Sequence, residues 1–263
     1  KVSMIQTAKT IEIESKGFES RASDVVTEID LEAQAIILDM LQPTIERYDL
    51  GVLAEEGEQD DSRLRKHAFW TIDPLDGTQY FIEGKSGYAT SIALVSQEGQ
   101  PILGVVYDPV HENLFEAVAG RGVTRNGAPL ESVDRVGSSE GTTKWFADRS
   151  LRNHPHFAQY QDHFDIRFVG GAVMNGLQLL TEPNSIYAKA PKKELGGCAI
   201  WDLAAVALML AERAGSARAF DGSPLHLNRA ESVFFNDVGF ALASADVEFE
   251  ALLARVRAIG SST

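Results

Sequence analysis

Two aspartates three positions apart follow an apolar run and could hold a divalent cation. The segment Trp70–Thr78 reads Trp-Thr-Ile-Asp-Pro-Leu-Asp-Gly-Thr, which places a proline directly after Asp73. A residue before proline favours extended backbone and the Asp-Gly pair favours a turn, so the Asp73 and Asp76 carboxylates and the Leu75 carbonyl could converge. Hard cations such as Mg²⁺ prefer such all-oxygen sites. An ordinary surface turn is the alternative interpretation.

Three further segments place acids at a predicted strand end or helix start. They are Glu55-Glu56 after the apolar run Gly51–Ala54, Asp202 after Trp201 and before the predicted helix Leu203–Ala214, and Asp30 near the start of the predicted helix Glu28–Gln42. Each has a purely structural explanation, because an acid at a helix start can cap the free N–H groups there. Asp202 fits the N-cap position of its helix in that way. Metal binding is therefore indicated by the combination of segments and not by any one of them.

The elements that would position these acids begin with two helices and a run of strands. We predict amphipathic helices over Val2–Glu14 and Glu28–Gln42, the second ended by Pro43, and strands over Gly51–Ala54, Ala68–Ile72, Ala89–Val95, Ile102–Tyr107 and Leu114–Val118. Turn-rich pieces separate these strands, which indicates a mostly antiparallel sheet.

From about Val136 the pattern changes to single strands that alternate with helices. Strands are predicted near Lys144–Ala147 and Ser185–Lys189, and helices near Ala172–Leu180, Leu203–Ala214 and Val247–Ile259. Such alternation is typical of an α/β arrangement. We therefore predict an N-terminal α+β half over residues 1–135, with an antiparallel sheet and most of the acids, and a C-terminal α/β half over residues 136–263, which supplies Asp202. The boundary is expected within Leu130–Glu140.

The composition limits the partners of this 263-residue chain. Its net charge of −14 argues against nucleic acid, because proteins that bind nucleic acid usually neutralise phosphates with Lys and Arg. The apolar stretches are far shorter than the roughly 20 residues that cross a bilayer, so we expect no membrane span. The single cysteine, Cys198, cannot form an intramolecular disulfide. These features fit a cytoplasmic protein that handles a small anionic metabolite through metal cations.

Taken together in chain order, four motifs resemble the inositol monophosphatase family. They are Asp24-Val25-Val26-Thr27-Glu28-Ile29-Asp30, Ala54-Glu55-Glu56-Gly57, Asp73-Pro74-Leu75-Asp76-Gly77-Thr78 and Trp201-Asp202-Leu203-Ala204-Ala205. The resemblance spans nearly the whole chain and places it in a superfamily of Mg²⁺-dependent phosphatases, many of them lithium-sensitive. It implies an α+β fold, the αβαβα layered sandwich shared with fructose-1,6-bisphosphatase, with the metal site where the two halves meet.

The resemblance also implies a set of metal ligands. Glu55, Asp73 and the Leu75 carbonyl would hold one Mg²⁺, and Asp73, Asp76 and Asp202 would hold a second. Asp73 would then be shared by both ions. A third ion could be supported by Glu56, for which a solvated surface acid is the alternative.

The catalytic residues implied by the resemblance are Asp30, Thr78 and Glu55. Phosphate monoesters hydrolyse extremely slowly without catalysis, and clustered cations would generate hydroxide near neutral pH and neutralise charge on the phosphoryl oxygens. Asp30 and Thr78 would activate the metal-bound water for direct attack, with no covalent intermediate. Backbone N–H groups of Gly77 and Thr78, at a predicted helix start, would hold phosphate oxygens.

The expected substrate is a 3'(2'),5'-bisphosphate nucleotide of the adenosine 3',5'-bisphosphate type. Inositol-directed members commonly carry an acid seven residues before the Asp of the Trp-Asp motif, and Leu195 stands there in this chain. The segments Lys192–Asp202 and Asp221–Arg229 are more similar to the bisphosphate nucleotidase branch. The substrate-binding residues would be Gly77, Thr78, Lys192, Lys193, Glu194 and Asp202. For the two lysines, a solvated basic pair is the alternative.

Other functions stay open at this point. Inositol 1-phosphate is the main alternative substrate, followed by histidinol phosphate and fructose 1,6-bisphosphate. A metal-binding regulatory protein that keeps the fold without turnover is the alternative of another class. Because the family often forms homodimers, a homodimer is also expected.

Overall fold

The structure of the protein is a computed structural model that describes residues 18–131 and 141–260, with side chains from residue 28 onward. The helix predicted over Val2–Glu14 lies outside these ranges. The helices are α1 Phe18–Tyr48, α2 Ser62–Arg65, α3 Thr78–Ile82, α4 Phe157–His163, α5 Ala172–Gln178, α6 Ile200–Glu212 and α7 Phe249–Gly260, with a 3₁₀ helix at Arg149–Asn153. The strands of the first sheet are β1 Gly51–Ala54, β2 Ala68–Asp76, β3 Ala89–Ser96, β4 Pro101–Asp108, β5 Asn113–Val118, β6 Val123–Arg125 and β7 Ala128–Pro129.

The first sheet has the strand order β1-β2-β3-β4-β5-β6-β7. β1 and β2 are parallel, and every later neighbouring pair is antiparallel. The predicted mostly antiparallel sheet is therefore confirmed. Every second residue of β3 is buried, which is the period expected when one face of a sheet covers a core.

The second sheet consists of β8 Lys144–Phe146, β9 Asp165–Arg167, β10 Ser185–Lys189, β11 Ser216–Ala219 and β12 Phe240–Ala243, in the order β11-β12-β10-β8-β9. β10, β8 and β9 run parallel, so their carboxyl ends lie at one edge of the sheet. Ligands of open α/β sheets bind beyond that edge.

Helix α6 lies between the two sheets. Its residues Ile200 to Leu210 are all buried, and it packs against β3 and β4 on one side and β11 and β12 on the other. α5 shares this middle layer, α1 packs on β2 from outside, and α4 and α7 cover the far face of the second sheet. The layers thus follow the order αβαβα, as predicted.

The sequence prediction for α1 is wrong at its end. Pro43 does not stop the helix, which continues to Tyr48. A proline inside a helix removes one backbone hydrogen bond. The following turn is kept because Leu41 and Ile45 pack against the cluster around Trp70, whose indole N–H donates to the Thr44 hydroxyl at 3.1 Å. Tertiary packing therefore outweighs the local effect of the proline.

The predicted boundary between the two halves falls on residues 132–140, outside the described ranges, so the division at 135 stays a prediction. Within the described residues, no helix combines the length and apolar character needed to cross a membrane.

Candidate metal and phosphate site

The end of β2 carries the two aspartates that flank Pro74. The pairing of β2 with β3 shifts register between Asp73 and Asp76, so the strand bulges at the proline. The Leu75 N–H donates to the Asp73 carboxylate at 2.9 Å, and the Thr90 hydroxyl donates to the Pro74 carbonyl at 2.9 Å. Both hydrogen bonds stabilise the bulge. In a regular strand, residues three positions apart point to opposite faces, and the bulge lets Asp73 and Asp76 direct their carboxylates to the same side.

Asp202 completes a cluster of three buried acids. One carboxylate oxygen from each of Asp73, Asp76 and Asp202 lies within 4.8 Å of the other two. α6 begins at Ile200, so Asp202 is its third residue, and the predicted N-cap position for Asp202 is wrong. Its carboxylate reaches back to accept the Ala199 N–H at 2.6 Å. The helix start thus orients this acid without occupying all of its lone pairs.

Asp76 also joins the two halves of the site. Its carboxylate accepts the N–H groups of Ala172 and Val173, each at 2.9 Å, at the first turn of α5. Gly171 leaves room for this contact, because a Cβ on Gly171 would stand 2.4 Å from Asp76 Oδ2. The sequence analysis did not single out Gly171, since its role depends on a partner 95 positions away.

The pKa values of the three buried acids are raised. Burial, followed by the charges of Glu55 and Asp202, raises the pKa of Asp73 well above its ordinary value. Burial and then Asp202 raise the pKa of Asp76, despite its two backbone donors. Burial also raises the pKa of Asp202, although hydrogen bonds from Asp73 and the Ala199 N–H act to lower it. Because these like charges lie close together, the cluster binds protons or a cation more readily than separate carboxylates would.

Two further acids approach the cluster from β1 and α1. Burial of the carboxylate raises the pKa of Glu55 to about 7. A hydrogen bond to Asp73 lowers this pKa, whereas the charges of Asp202 and Glu56 raise it further. Burial, followed by Glu56 and Glu55, raises the pKa of Asp30 to about 7 as well. The Asp30 Oδ1 atom is buried and accepts no hydrogen bond from the described residues. This oxygen therefore keeps an unused acceptor position, although Asp30 does not line the cavity that the other acids share.

The remaining residues predicted around the cluster lie at the start of α3. Gly77 has a φ of 84° and precedes the helix, where a Cβ would meet the Gly87 carbonyl at 2.5 Å. Thr78 follows, and its hydroxyl donates to the Leu75 carbonyl at 3.2 Å. Both residues, with Leu75 and the acids Glu55, Asp73, Asp76 and Asp202, line a cavity of about 410 Å³, named here the acidic cavity.

The predicted substrate residues of the 192–194 segment lie further away. Lys192 and Glu194 line a second, larger cavity of about 610 Å³, at the carboxyl ends of β8 and β10. Lys193 is exposed and does not belong to the lining of either cavity among the described residues. Leu195 is 77% exposed and likewise stands outside both. The structure thus brings the acids together, whereas Lys192 and Lys193 do not line the acidic cavity.

Sequence reasoning missed two charged residues of the site. Asp148 follows β8 and Lys189 ends β10, and their side chains form an ion pair that lines both cavities. An acid directly after an apolar strand was the signal used for Glu55, and it was present for Asp148. No such local signal marks Lys189, because strand ends often carry a lysine that points to solvent.

The donor set fits Mg²⁺. Hard cations take carboxylate and carbonyl oxygens, and the cluster offers three buried carboxylates with mutually close oxygens beside the Leu75 carbonyl. The unpartnered Asp30 oxygen and the raised pKa values indicate uncompensated negative charge, which a divalent cation would neutralise.

Comparison with known proteins agrees with this chemistry. The model of the inositol monophosphatase family matches residues 3–261. An inositol-1-monophosphatase of Synechocystis sp. is 33% identical over 227 residues, which cover 84% of this chain and 74% of that protein. A Nus factor SuhB of Pasteurella multocida is 30% identical over 237 residues, covering 83% and 84%.

Solved structures show the same fold. The Thermotoga maritima IMPase superposes with a TM-score of 0.73 at 21% identity, covering 98% of this chain and 93% of that one. The staphylococcal IMPase-II with bound 2'-AMP gives a TM-score of 0.70 at 23% identity, covering 97% and 96%. With a family match over almost its full length and an acid cluster suited to metal, the chain belongs to the inositol monophosphatase family of metal-dependent phosphatases.

Proposed function

We propose that this protein is a Mg²⁺-dependent phosphomonoesterase that hydrolyses a small phosphorylated metabolite by direct attack of water. The observation that carries the proposal is the cluster of Asp73, Asp76 and Asp202, buried and open to the acidic cavity. A phosphate group needs cations to approach such a negative surface, and Mg²⁺ supplies that charge.

The residues that would hold Mg²⁺ are those of the acidic cavity. Glu55, Asp73 and the Leu75 carbonyl would bind one ion, and Asp73, Asp76 and Asp202 a second. When bound, Mg²⁺ lowers the pKa of water and neutralises charge on phosphoryl oxygens. A third ion could bind near Glu56, whose position is fixed by two backbone hydrogen bonds with the Gln34 side chain.

Asp30 is the proposed acceptor of the proton from the attacking water. Its free, buried oxygen can take that proton, and a pKa of about 7 suits a base that works near neutral pH. The Thr78 hydroxyl, whose proton goes to the Leu75 carbonyl beside the cluster, keeps its lone pairs and would accept a hydrogen bond from the same water. Gly77 and Thr78 line the cavity where phosphate oxygens would meet their backbone N–H groups.

For the substrate we retain a 3'(2'),5'-bisphosphate nucleotide, with inositol 1-phosphate as the second candidate. Leu195, where inositol-directed members carry an acid, is exposed away from the cavities, and Lys192 lines the larger one. The 2'-AMP bound to the staphylococcal protein of the same fold supports the nucleotide candidate. The Synechocystis relative, named for inositol 1-phosphate, supports the second candidate.

The test is phosphate release in the presence of Mg²⁺. Adenosine 3',5'-bisphosphate, inositol 1-phosphate, histidinol phosphate and fructose 1,6-bisphosphate would be compared, with Asp73→Asn as the inactive variant. Asp162→Asn is the matched control, because Asp162 is an exposed acid of α4 with no place in either cavity. We expect EDTA-sensitive release by the wild type and by Asp162→Asn, with the highest kcat/KM for the nucleotide.

The outcomes separate the parts of the proposal. A preference for inositol 1-phosphate would keep the mechanism and overturn the nucleotide assignment. No EDTA-sensitive release from any of the four esters would favour a metal-binding regulatory protein without turnover. The expected homodimer is a separate prediction, which sedimentation or light scattering would test.

A further inference from the structure

The acidic cavity and the larger cavity adjoin each other. Four residues line both of them, namely Asp148, Lys189, Gly197 and Cys198. A phosphate held at the acid cluster would therefore have the rest of its ester beside these four residues. The larger cavity, about 610 Å³, is big enough for the alcohol part of a small metabolite.

The ion pair at this junction is held rigidly. Asp148 accepts a hydrogen bond from the Tyr187 hydroxyl at 2.9 Å and from the Asn175 side-chain amide at 3.0 Å, and it pairs with the Lys189 ammonium. The three donors come from β10 and α5, so the carboxylate is fixed from two elements. Held by Asp148, the ammonium has a defined position at the end of β10.

The Lys189 ammonium keeps a donor for a ligand. An ammonium has three N–H donors. Asp148 takes one, and the Cys198 sulfur is a second, weaker acceptor. Burial lowers the pKa of Lys189, but Cys198 and Asp148 outweigh burial and raise it, so the side chain is charged at neutral pH. Roughly a quarter of the side chain, 28%, stays exposed.

A second cation lies close by. The Lys192 ammonium is 3.7 Å from the position that a Cβ on Gly197 would take, and Gly197 lines both cavities. Glu194 also lines the larger cavity and carries the opposite charge. Two ammonium groups thus flank the path by which a leaving group would extend out of the acidic cavity.

We propose that Lys189, positioned by Asp148, contacts the leaving-group part of the substrate and selects esters that carry a second anionic group there. This inference rests on the proposed phosphatase function and deepens it by naming the side chain that would select the second phosphate of the substrate. Lys189 is the specificity-determining residue, and Asp148 acts through it as a positioning residue. A charge-assisted hydrogen bond of this kind strengthens binding roughly 10- to 100-fold.

The experiment measures binding and turnover of matched ligands that differ by one phosphate. The pairs are 2'-AMP with adenosine 2',5'-bisphosphate and inositol 1-phosphate with inositol 1,4-bisphosphate. Dissociation constants are measured by calorimetry with Ca²⁺ in place of Mg²⁺, and kcat/KM with Mg²⁺. The variants are Lys189→Met, Lys189→Arg and Asp148→Asn. Lys144→Met is the control, because Lys144 pairs with Glu182 at 2.7 Å on β8, outside both cavities.

We expect the wild type to bind at least one bisphosphate ten or more times more tightly than its monophosphate. Lys189→Met should reduce that preference about tenfold, and Lys189→Arg should keep most of it. Asp148→Asn should raise the KM for the bisphosphate by a larger factor than it lowers kcat. Lys144→Met should keep the wild-type ratio. Thermal unfolding with and without Ca²⁺ confirms that each variant is folded.

The ratio of the dissociation constants for the monophosphate and the bisphosphate tests the role of Lys189. If the wild type shows no preference for the bisphosphate in either pair, or if Lys189→Met leaves the ratio of dissociation constants within twofold, Lys189 does not select a second anion. Binding without any Mg²⁺-dependent release would instead overturn the phosphatase proposal while leaving the role of Lys189 supported. The two failures are therefore distinguishable.

Discussion

Asp76 and Gly171 are in such close contact that a Cβ on Gly171 would lie 2.4 Å from the Asp76 carboxylate oxygen. This carboxylate also accepts two N–H groups from α5. Gly171→Ala should therefore displace Asp76 and reduce kcat/KM by at least tenfold, together with Mg²⁺ affinity. Calorimetric Mg²⁺ titration and phosphate release would measure both effects.

Gly120 controls for a general loss of stability on replacing a glycine. Gly120 has a φ of 76° and lies in a turn after β5, where an added Cβ would meet no atom within 4 Å. Gly120→Ala should cost about 1 kcal/mol in stability from the left-handed backbone but leave Mg²⁺ affinity intact. Equal Mg²⁺ affinity in both variants would show that Gly171 does not position Asp76.

Mg²⁺ should raise the melting temperature of the protein. The clustered acids repel one another, and a ligand at 100 times its dissociation constant stabilises by about 2.7 kcal/mol, or roughly 5–10 °C for a chain of this size. Differential scanning fluorimetry after EDTA treatment would measure the shift. Asp202→Asn should abolish most of it and Asp162→Asn none of it. An unchanged melting temperature at millimolar Mg²⁺ would contradict the metal site.

Without divalent cations, stability should fall as the pH rises from about 4 to about 7. The pKa of Asp30 rises from 3.8 to about 7 on folding, and that of Glu55 from 4.5 to about 7. The folded state therefore binds more protons than the unfolded state in this window, and stability is lost as the pH increases through the folded pKa. Urea denaturation at several pH values in EDTA would test the sign, and Mg²⁺ should reverse the loss above pH 7.

Asp30→Asn should separate catalysis from metal binding. An amide cannot accept the proton of the attacking water, so kcat should fall about 10²- to 10⁴-fold. The Mg²⁺-dependent rise in melting temperature should remain, because Asp30 is not a proposed ligand. In EDTA at pH 8 the variant should be more stable than the wild type, since a buried charge is removed. Activity within twofold of wild type would exclude Asp30 as the base.

Much of the first sheet was predictable from the sequence. The predicted strand Gly51–Ala54 matches β1 as observed, and the next four strands differ by a few residues at most. These strands are continuous apolar runs with clear turns between them, which is the pattern that predicts a strand most directly. The short strands β6, β7, β9, β11 and β12 were not predicted, because two to four residues carry little periodicity and most of these strands, unlike β1, are not uniformly apolar.

The acids were identified by their position at strand ends and helix starts, and the structure brings Asp73, Asp76 and Asp202 together. The amino-acid sequence was sufficient for the fold family and these oxygen donors, because both depend on local runs and motif order. The folded chain was needed to see that Gly171 makes room for Asp76, that α1 continues through Pro43, and that Lys189 pairs with Asp148 between two cavities. Those features depend on contacts between residues distant in the chain, and local patterns carry no record of such contacts.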